Sequence, residues 1–107
     1  MLIERLTVTH EDERRALVEW HSGVGMVQLK VVRAKAPRTQ IGRHYHRNKT
    51  EVFFLLEGDG TVNGRPIHAG DRIVVQPWEV HAFDLAAGSL LLGGATAPFD
   101  PEDEVPA

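Results

Sequence analysis

Apolar residues along this chain recur at every second position far more often than at every third or fourth. Val27, Leu29 and Val31 share one face of an extended segment inside Val24–Ala36, which is dense in β-branched residues, and that alternation predicts a strand. Glu51–Glu57 predicts another, with Val52, Phe54 and Leu56 on one side and Glu51, Phe53 and Leu55 on the other, so apolar overall that both faces are expected to be covered. Residues 2–9, Thr39–His46, Arg72–Gln76, Val80–Phe83 and Ser89–Ala95 read as further strands, and Ala16–Trp20 as a short strand rather than a helical turn. The breaks between them carry turn chemistry: Ser22-Gly23, Gly58-Asp59-Gly60, Ala69-Gly70-Asp71 and Ala87-Gly88, with Asn63-Gly64 as the residue pair of a type I′ hairpin. Pro37 ends the strand before it, and Pro77-Trp78 separates two others.

Short strands at turn intervals of about eight to twelve residues, with almost no helical periodicity, predict an all-β sandwich or barrel. Residues 1–95 are expected to form a single β-barrel domain, and residues 96–107, with three prolines and four acids, a solvated tail. The length of 107 residues leaves no room for a second domain. A hydrophobic content of 42% and a charged content of 25% are those of a folded globular chain. The net charge of -3 comes from the tail acids Asp100, Glu102, Asp103 and Glu104, so the nearly neutral body gives no reason to expect nucleic acid or an anionic membrane as partner. The N-terminus meets charges too early for a secretory signal, and no apolar run approaches the roughly 20 residues of a membrane span. A cytoplasmic location is expected.

With no cysteine, any metal site must rest on histidine and carboxylate. In an extended strand His44 and His46 point the same way, about 6.6 Å apart at the backbone, and two imidazoles so placed can converge on one ion. Glu51 can add an oxygen, and His81, thirty residues further on in a similar segment, can close the site from another strand. Three imidazoles and a carboxylate suit a divalent transition metal and leave two positions of an octahedron open. His10, His21 and His68 sit beside turns and acids and are read as solvated.

Between Arg38 and Phe83 the chain resembles the cupin superfamily. The resemblance rests on His44-Tyr45-His46, four residues, Glu51, six residues and Gly58, and on Gly70-Asp71 followed by His81 eleven residues after the glycine. Arg38 stands where the family motif opens with glycine, and Gln76 and Trp78 stand where its second motif has proline and glycine. The resemblance implies a jelly-roll, or double-stranded β-helix, barrel. It also implies that His44, His46, Glu51 and His81 bind one divalent ion, of Fe, Mn, Zn or Ni. Strand parity with the ligands makes Arg38, Gln40, Phe53, Leu55 and Phe83 candidates for the substrate pocket, and Trp78 a candidate for its mouth. Arg43, Tyr45 and Arg47 fall on the opposite parity and are expected outside.

The function expected is metal-dependent chemistry on a small organic molecule, of the dioxygenase or isomerase type. Two alternatives stand beside it. His44–Glu51 also looks like cupins that isomerise or epimerise nucleotide sugars without metal, their histidines moving protons, and a barrel of this kind can bind a small ligand without turnover. Small cupins commonly pair, and the apolar surface of Leu2–Val8 and Val24–Val32 fits a homodimer.

Overall fold

The computed structural model describes all 107 residues, as twelve strands and one 3₁₀ turn. In chain order the strands are β1 (Leu2–Arg5), β2 (His10–Glu11), β3 (Ala16–Leu17), β4 (Gln28–Arg33), β5 (Thr39–His46), β6 (Glu51–Glu57), β7 (Asp59–Val62), β8 (Arg65–His68), β9 (Asp71–Val75), β10 (His81–Leu85), β11 (Leu90–Ala95) and β12 (Glu104–Pro106), with the 3₁₀ turn at Pro101–Asp103. One antiparallel sheet runs β1-β9-β6-β11-β4 and faces a second, β12-β5-β10-β7-β8, while β2 and β3 pair only with each other. No helix is long and apolar enough to cross a membrane.

The two large sheets close over one core. Phe53, Leu55, Ile73, Val75 and Leu91 from the first sheet meet Val62, Ile67, Phe83 and Leu85 from the second, all at 3% exposure or less. Burying these aliphatic and aromatic groups is the main favourable term, of roughly 1.5–3 kcal/mol for each large side chain. The expectation that β6 is covered on both faces holds from Glu51 to Leu55, and the reason lies in the loop before β4. Trp20, Val24 and Met26 lie over Val52, Phe54, Val74 and Leu92 on the outer face, with the Trp20 ring edge-on to Phe54 at 4.5 Å between centroids.

Several strands are shorter than their patterns suggest. β1 stops at Arg5, β3 keeps only Ala16–Leu17 of Ala16–Trp20, and β4 covers Gln28–Arg33 of Val24–Ala36, because Trp20 to Met26 is used to cover the sheet rather than to extend it. At Asn63-Gly64 the expected hairpin turn forms with positive φ at both residues (50° and 77°). Gly58, at φ 90°, turns the chain where any Cβ would run into Ser89.

The largest departure is the C-terminal segment, expected to be a solvated tail. β12 instead pairs with β5, Glu104 opposite His46 and Pro106 opposite His44. Proline is tolerated there because β12 is an edge strand. Asp103, 6% exposed, accepts hydrogen bonds from the backbone N–H groups of Arg47 and Asn48 at 2.9 and 3.0 Å. These two donors lie just after β5, where no strand partner serves them, and an aspartate brought by the tail satisfies both. Asp103→Ala should therefore lower the unfolding free energy by about 2 kcal/mol in urea titration, the scale of leaving buried donors unmade, and Asp103→Asn, which keeps one acceptor, by less. An unchanged midpoint for Asp103→Ala would show that the tail is not held there.

Candidate functional site

Strand register, not sequence spacing alone, brings the site together. In β5 the pairing with β10 slips by one residue: His81 opposes His44, but Ala82 opposes Gly42. Arg43 is the extra residue of this bulge, and Gly42 and Arg43 adopt positive φ (87° and 76°). A Cβ on Gly42 would stand 2.9 Å from the His81 carbonyl oxygen, so glycine is what lets the two strands approach here. Before the bulge, Thr39 and Ile41 pair with the inward residues Leu85 and Phe83; after it, His44 faces inward opposite His81.

The bulge corrects two of the predicted pocket residues. Alternation through an unbroken strand put Arg38 and Gln40 on the ligand face, but the extra residue reverses parity. Gln40 is exposed opposite Asp84, and Arg38, with 87% of its side chain exposed, reaches the same outer Asp84. Trp78 does not line the site either. Its ring stacks at 5.6 Å on Tyr45, which points away from its neighbours His44 and His46, and the residue is 64% exposed. Phe53 and Phe83 lie next to the cluster, with ring centroids 6.0 and 6.4 Å from that of His81, whereas Leu55 lies deeper in the core.

His44, His46, Glu51 and His81 come together at one end of the barrel, and one potential ligand atom from each lies within 4.8 Å of every other. The Nε2 atoms of His46 and His81 stand 2.9 and 3.2 Å from the same Glu51 oxygen, Oε1. Despite these distances, Oε1 and both ring nitrogens of His46 are buried without a hydrogen-bond partner of acceptable geometry. Buried polar atoms almost always have one. Two imidazole nitrogens gathered on one carboxylate oxygen require positive charge between them, as protons or as a cation. The donor set of three imidazoles and one carboxylate fits a divalent transition metal, so these four residues could hold such an ion.

Sequence reasoning missed two residues of the surroundings. Lys30 Nζ lies 3.5 Å from Oε2, the other Glu51 oxygen, and 5.8 Å from the centre of the Phe53 ring. It reaches them across Gly93, its partner on β11, where a Cβ would stand 3.2 Å from Lys30 Cε. The signal was present: Lys30 alternates with Leu29 and Val31 and so shares parity with the inward Val32 and Ala34. Glu104 had no such signal. It arrives on β12 with Oε1 3.2 Å from His44 Nδ1, a contact between segments sixty residues apart.

The electrostatics follow from burial and these neighbours. Burial pushes the Glu51 carboxyl up, but the close His81 imidazole, Lys30 and His46 outweigh it and hold the group down at about 2. Burial lowers His44 below the ordinary imidazole value, helped by the neighbouring His81, and lowers His46 against the pull of Glu51. Three of the four are nearly closed off from solvent, Glu51 at 1%, His81 at 2% and His46 at 4%, whereas His44 is half-buried. A ligand entering this end therefore meets His44 first. A surface cleft of about 400 Å³ is lined by Asn48, Ala97, Pro98, Phe99, Asp100 and Asp103, none of them among the four.

Comparison with known proteins agrees with this architecture. Residues 10–84 match the family described as the polysaccharide biosynthesis C-terminal domain. The chain belongs to that family. No curated protein matches its sequence. Among solved structures, a 3,4-ketoisomerase from Helicobacter canadensis superposes with a TM-score of 0.83 at 14% identity, covering 99% of this chain and 90% of that one. The 3,4-ketoisomerase QdtA from Thermoanaerobacterium thermosaccharolyticum, as a mutant in complex with TDP-4-keto-6-deoxyglucose, gives 0.77 at 12% identity, over 99% and 86% of the two chains. A dTDP-4-dehydrorhamnose 3,5-epimerase from Bacillus anthracis, with TDP and PPi bound, gives 0.79 at 14%, over 95% and 75%. At such identities the shared property is the fold, a cupin-type jelly roll, as the first motif and the strand pattern led one to expect.

The site makes stability depend on pH in a defined direction. Because His44 and His46 titrate below 6.5 in the folded chain, the stability they contribute is complete above about pH 6.5 and declines as pH falls. Glu51, lowered from 4.5 to about 2, extends the loss from pH 4.5 downward. In the presence of chelator, Tm should hold from pH 7.5 to about pH 6.5 and fall from there to pH 4, and His46→Gln should flatten the upper part of that slope. A Tm independent of pH over this range contradicts the assignment.

Proposed function

We propose that the chain is an isomerase- or epimerase-type cupin acting on a keto sugar carried by a nucleoside diphosphate. The observation that carries this reading is the half-buried His44 at the open edge of the histidine and glutamate cluster, backed by a carboxylate. Its Nδ1 faces Glu104 Oε1, which leaves Nε2 as the nitrogen with a free lone pair. Burial keeps the ring neutral at pH 7, the state a general base needs. Isomerisation or epimerisation beside a ketone requires removal of a proton from the neighbouring carbon and its return to another carbon or another face. His44 takes the proton; Glu104 stabilises the imidazolium that results. The half-exposed Lys30, beside Glu51, brings positive charge to the end of the barrel where an enolate oxygen would develop. Membership of a polysaccharide biosynthesis family and the keto-sugar chemistry of the superposing enzymes support the substrate class.

A second reading, a metal centre, is favoured by the orphaned atoms of His46 and Glu51. His44, His46, Glu51 and His81 would hold the ion, which when bound would act as a Lewis acid toward a substrate oxygen. This reading covers the isomerase chemistry above and also oxygenase chemistry on another small molecule. Both remain distinct from a barrel that binds without turnover.

Proton exchange separates them. With TDP-4-keto-6-deoxyglucose in D₂O, deuterium should enter beside the ketone, and His44→Asn should slow its entry by roughly 10²–10⁴-fold, the usual weight of a general base, while a thermal shift with the same compound persists. Elemental analysis of the protein purified without chelator reports the metal: near-stoichiometric metal lost in His46→Ala/His81→Ala supports the second reading. Neither exchange nor a thermal shift with or without added metal would overturn the keto-sugar assignment.

A further inference from the structure

One aromatic residue is held in a backbone conformation that its side chain opposes. Trp78 adopts φ 70°, in the left-handed region, where a bulky residue is rare and strained. Glycine takes this φ freely, and glycine is what the second cupin motif has at the position of Trp78. The backbone asks for glycine, so the tryptophan is present for its ring. That ring is not there to fill the core: it stacks on Tyr45, with centroids 5.6 Å apart and planes inclined by 29°, and the residue stays 64% exposed.

The loop between β9 and β10 is fastened so as to hold the ring in place. Glu79 Oε1 accepts from the Gln76 N–H at 2.9 Å, and the Gln76 carbonyl accepts from the Glu79 N–H at 3.2 Å. The Thr50 hydroxyl donates to the Gln76 side chain, and the Trp78 N–H donates to the His46 carbonyl at 2.6 Å. The aromatic pair therefore sits at the rim of the barrel end that holds the cluster: Tyr45 separates His44 from His46, and the Glu79 carbonyl lies 3.4 Å from His81 Nδ1. Arg43 and Arg47, exposed two residues to either side of Tyr45, bring positive charge to the same rim. An aromatic face beside guanidinium groups, next to a site that opens at His44, suits an elongated ligand with a flat ring at one end and anionic groups behind it. A nucleoside diphosphate has that form.

We propose that the Tyr45–Trp78 pair seats the base of the nucleoside diphosphate whose sugar enters at His44, with Arg47 beside the phosphates. The seat rests on the keto-sugar reading for the sugar end only; the base end stands by itself. Strain at Trp78 is then stored for recognition, since the rigid loop presents the indole before the ligand arrives and little freedom is lost on binding.

The chain holds two tryptophans, and Trp20 packs on Phe54, so Trp20→Phe leaves Trp78 as the sole indole reporter. In that variant TDP should quench the emission saturably, thymidine should do so more weakly, and inorganic diphosphate should not. By calorimetry, Trp78→Gly, which also relieves the backbone, should bind TDP roughly 5- to 150-fold more weakly, the weight of one base stacked on an aromatic ring, and Trp78→Phe should recover most of the loss. In the exchange assay with TDP-4-keto-6-deoxyglucose, Trp78→Gly should raise KM by a similar factor with kcat little changed, the mark of binding shared by ground and transition states. Equal TDP affinity for Trp78→Gly and the unaltered chain, or quenching by diphosphate alone, overturns the seat. Exchange with an unchanged KM in Trp78→Gly also overturns it and leaves the keto-sugar reading standing. Quenching by TDP without exchange supports the seat and removes the isomerase reading, whereas the absence of both TDP binding and exchange removes the two together.

Discussion

A carboxylate sealed inside a β-barrel is the constraint from which the rest of this structure follows. Glu51, 1% exposed, could not remain ionised against its burial without hydrogen-bonding or charged groups close by, since an isolated buried charge costs far more than folding supplies. Those partners come from separate strands: His46 from β5, His81 from β10 and Lys30 from β4. Both sheets must close for them to meet. The chemistry of the site and the closure of the barrel are thus one requirement.

Two backbone devices allow that meeting. The bulge at Arg43 turns His44 inward beside His81 while Ile41, three residues earlier, already faces the core; without an extra residue, strict alternation could not put both there. Gly93 keeps open the path by which the Lys30 stem crosses to Glu51. Bulges and strand glycines usually weaken a ladder. Here each sits where a side chain must be re-aimed or a stem must pass.

The two carboxylates of the site have different roles because their surroundings differ. Glu51 is buried beside Lys30 and two imidazoles and stays ionised well below neutral pH. Glu104 is more exposed and meets the outer nitrogen of His44, so it orients a ring rather than filling the centre. That division places the buried members of the cluster where they can hold charge, and leaves His44 as the member a ligand can touch. The C-terminal strand that carries Glu104 also covers the outer edge of β5, and so serves the sheet and the site together.

The amino-acid pattern alone determined the all-β class, the extents of β5 and β6, the Asn63-Gly64 turn and the set of His44, His46, Glu51 and His81. These depend on local alternation, turn stereochemistry and motif spacing, which act within a few residues. It misplaced Arg38 and Gln40 because a bulge is set by pairing with β10, and a one-residue slip reverses every side chain before it. It missed Glu104 and treated the last twelve residues as solvated, since neither Asp103 nor Glu104 has any local sign of the β5 groups it meets. Which side chains share a buried charge, and which tail closes over them, was decided only by the tertiary structure, because contacts between distant strands leave no periodic trace in either one.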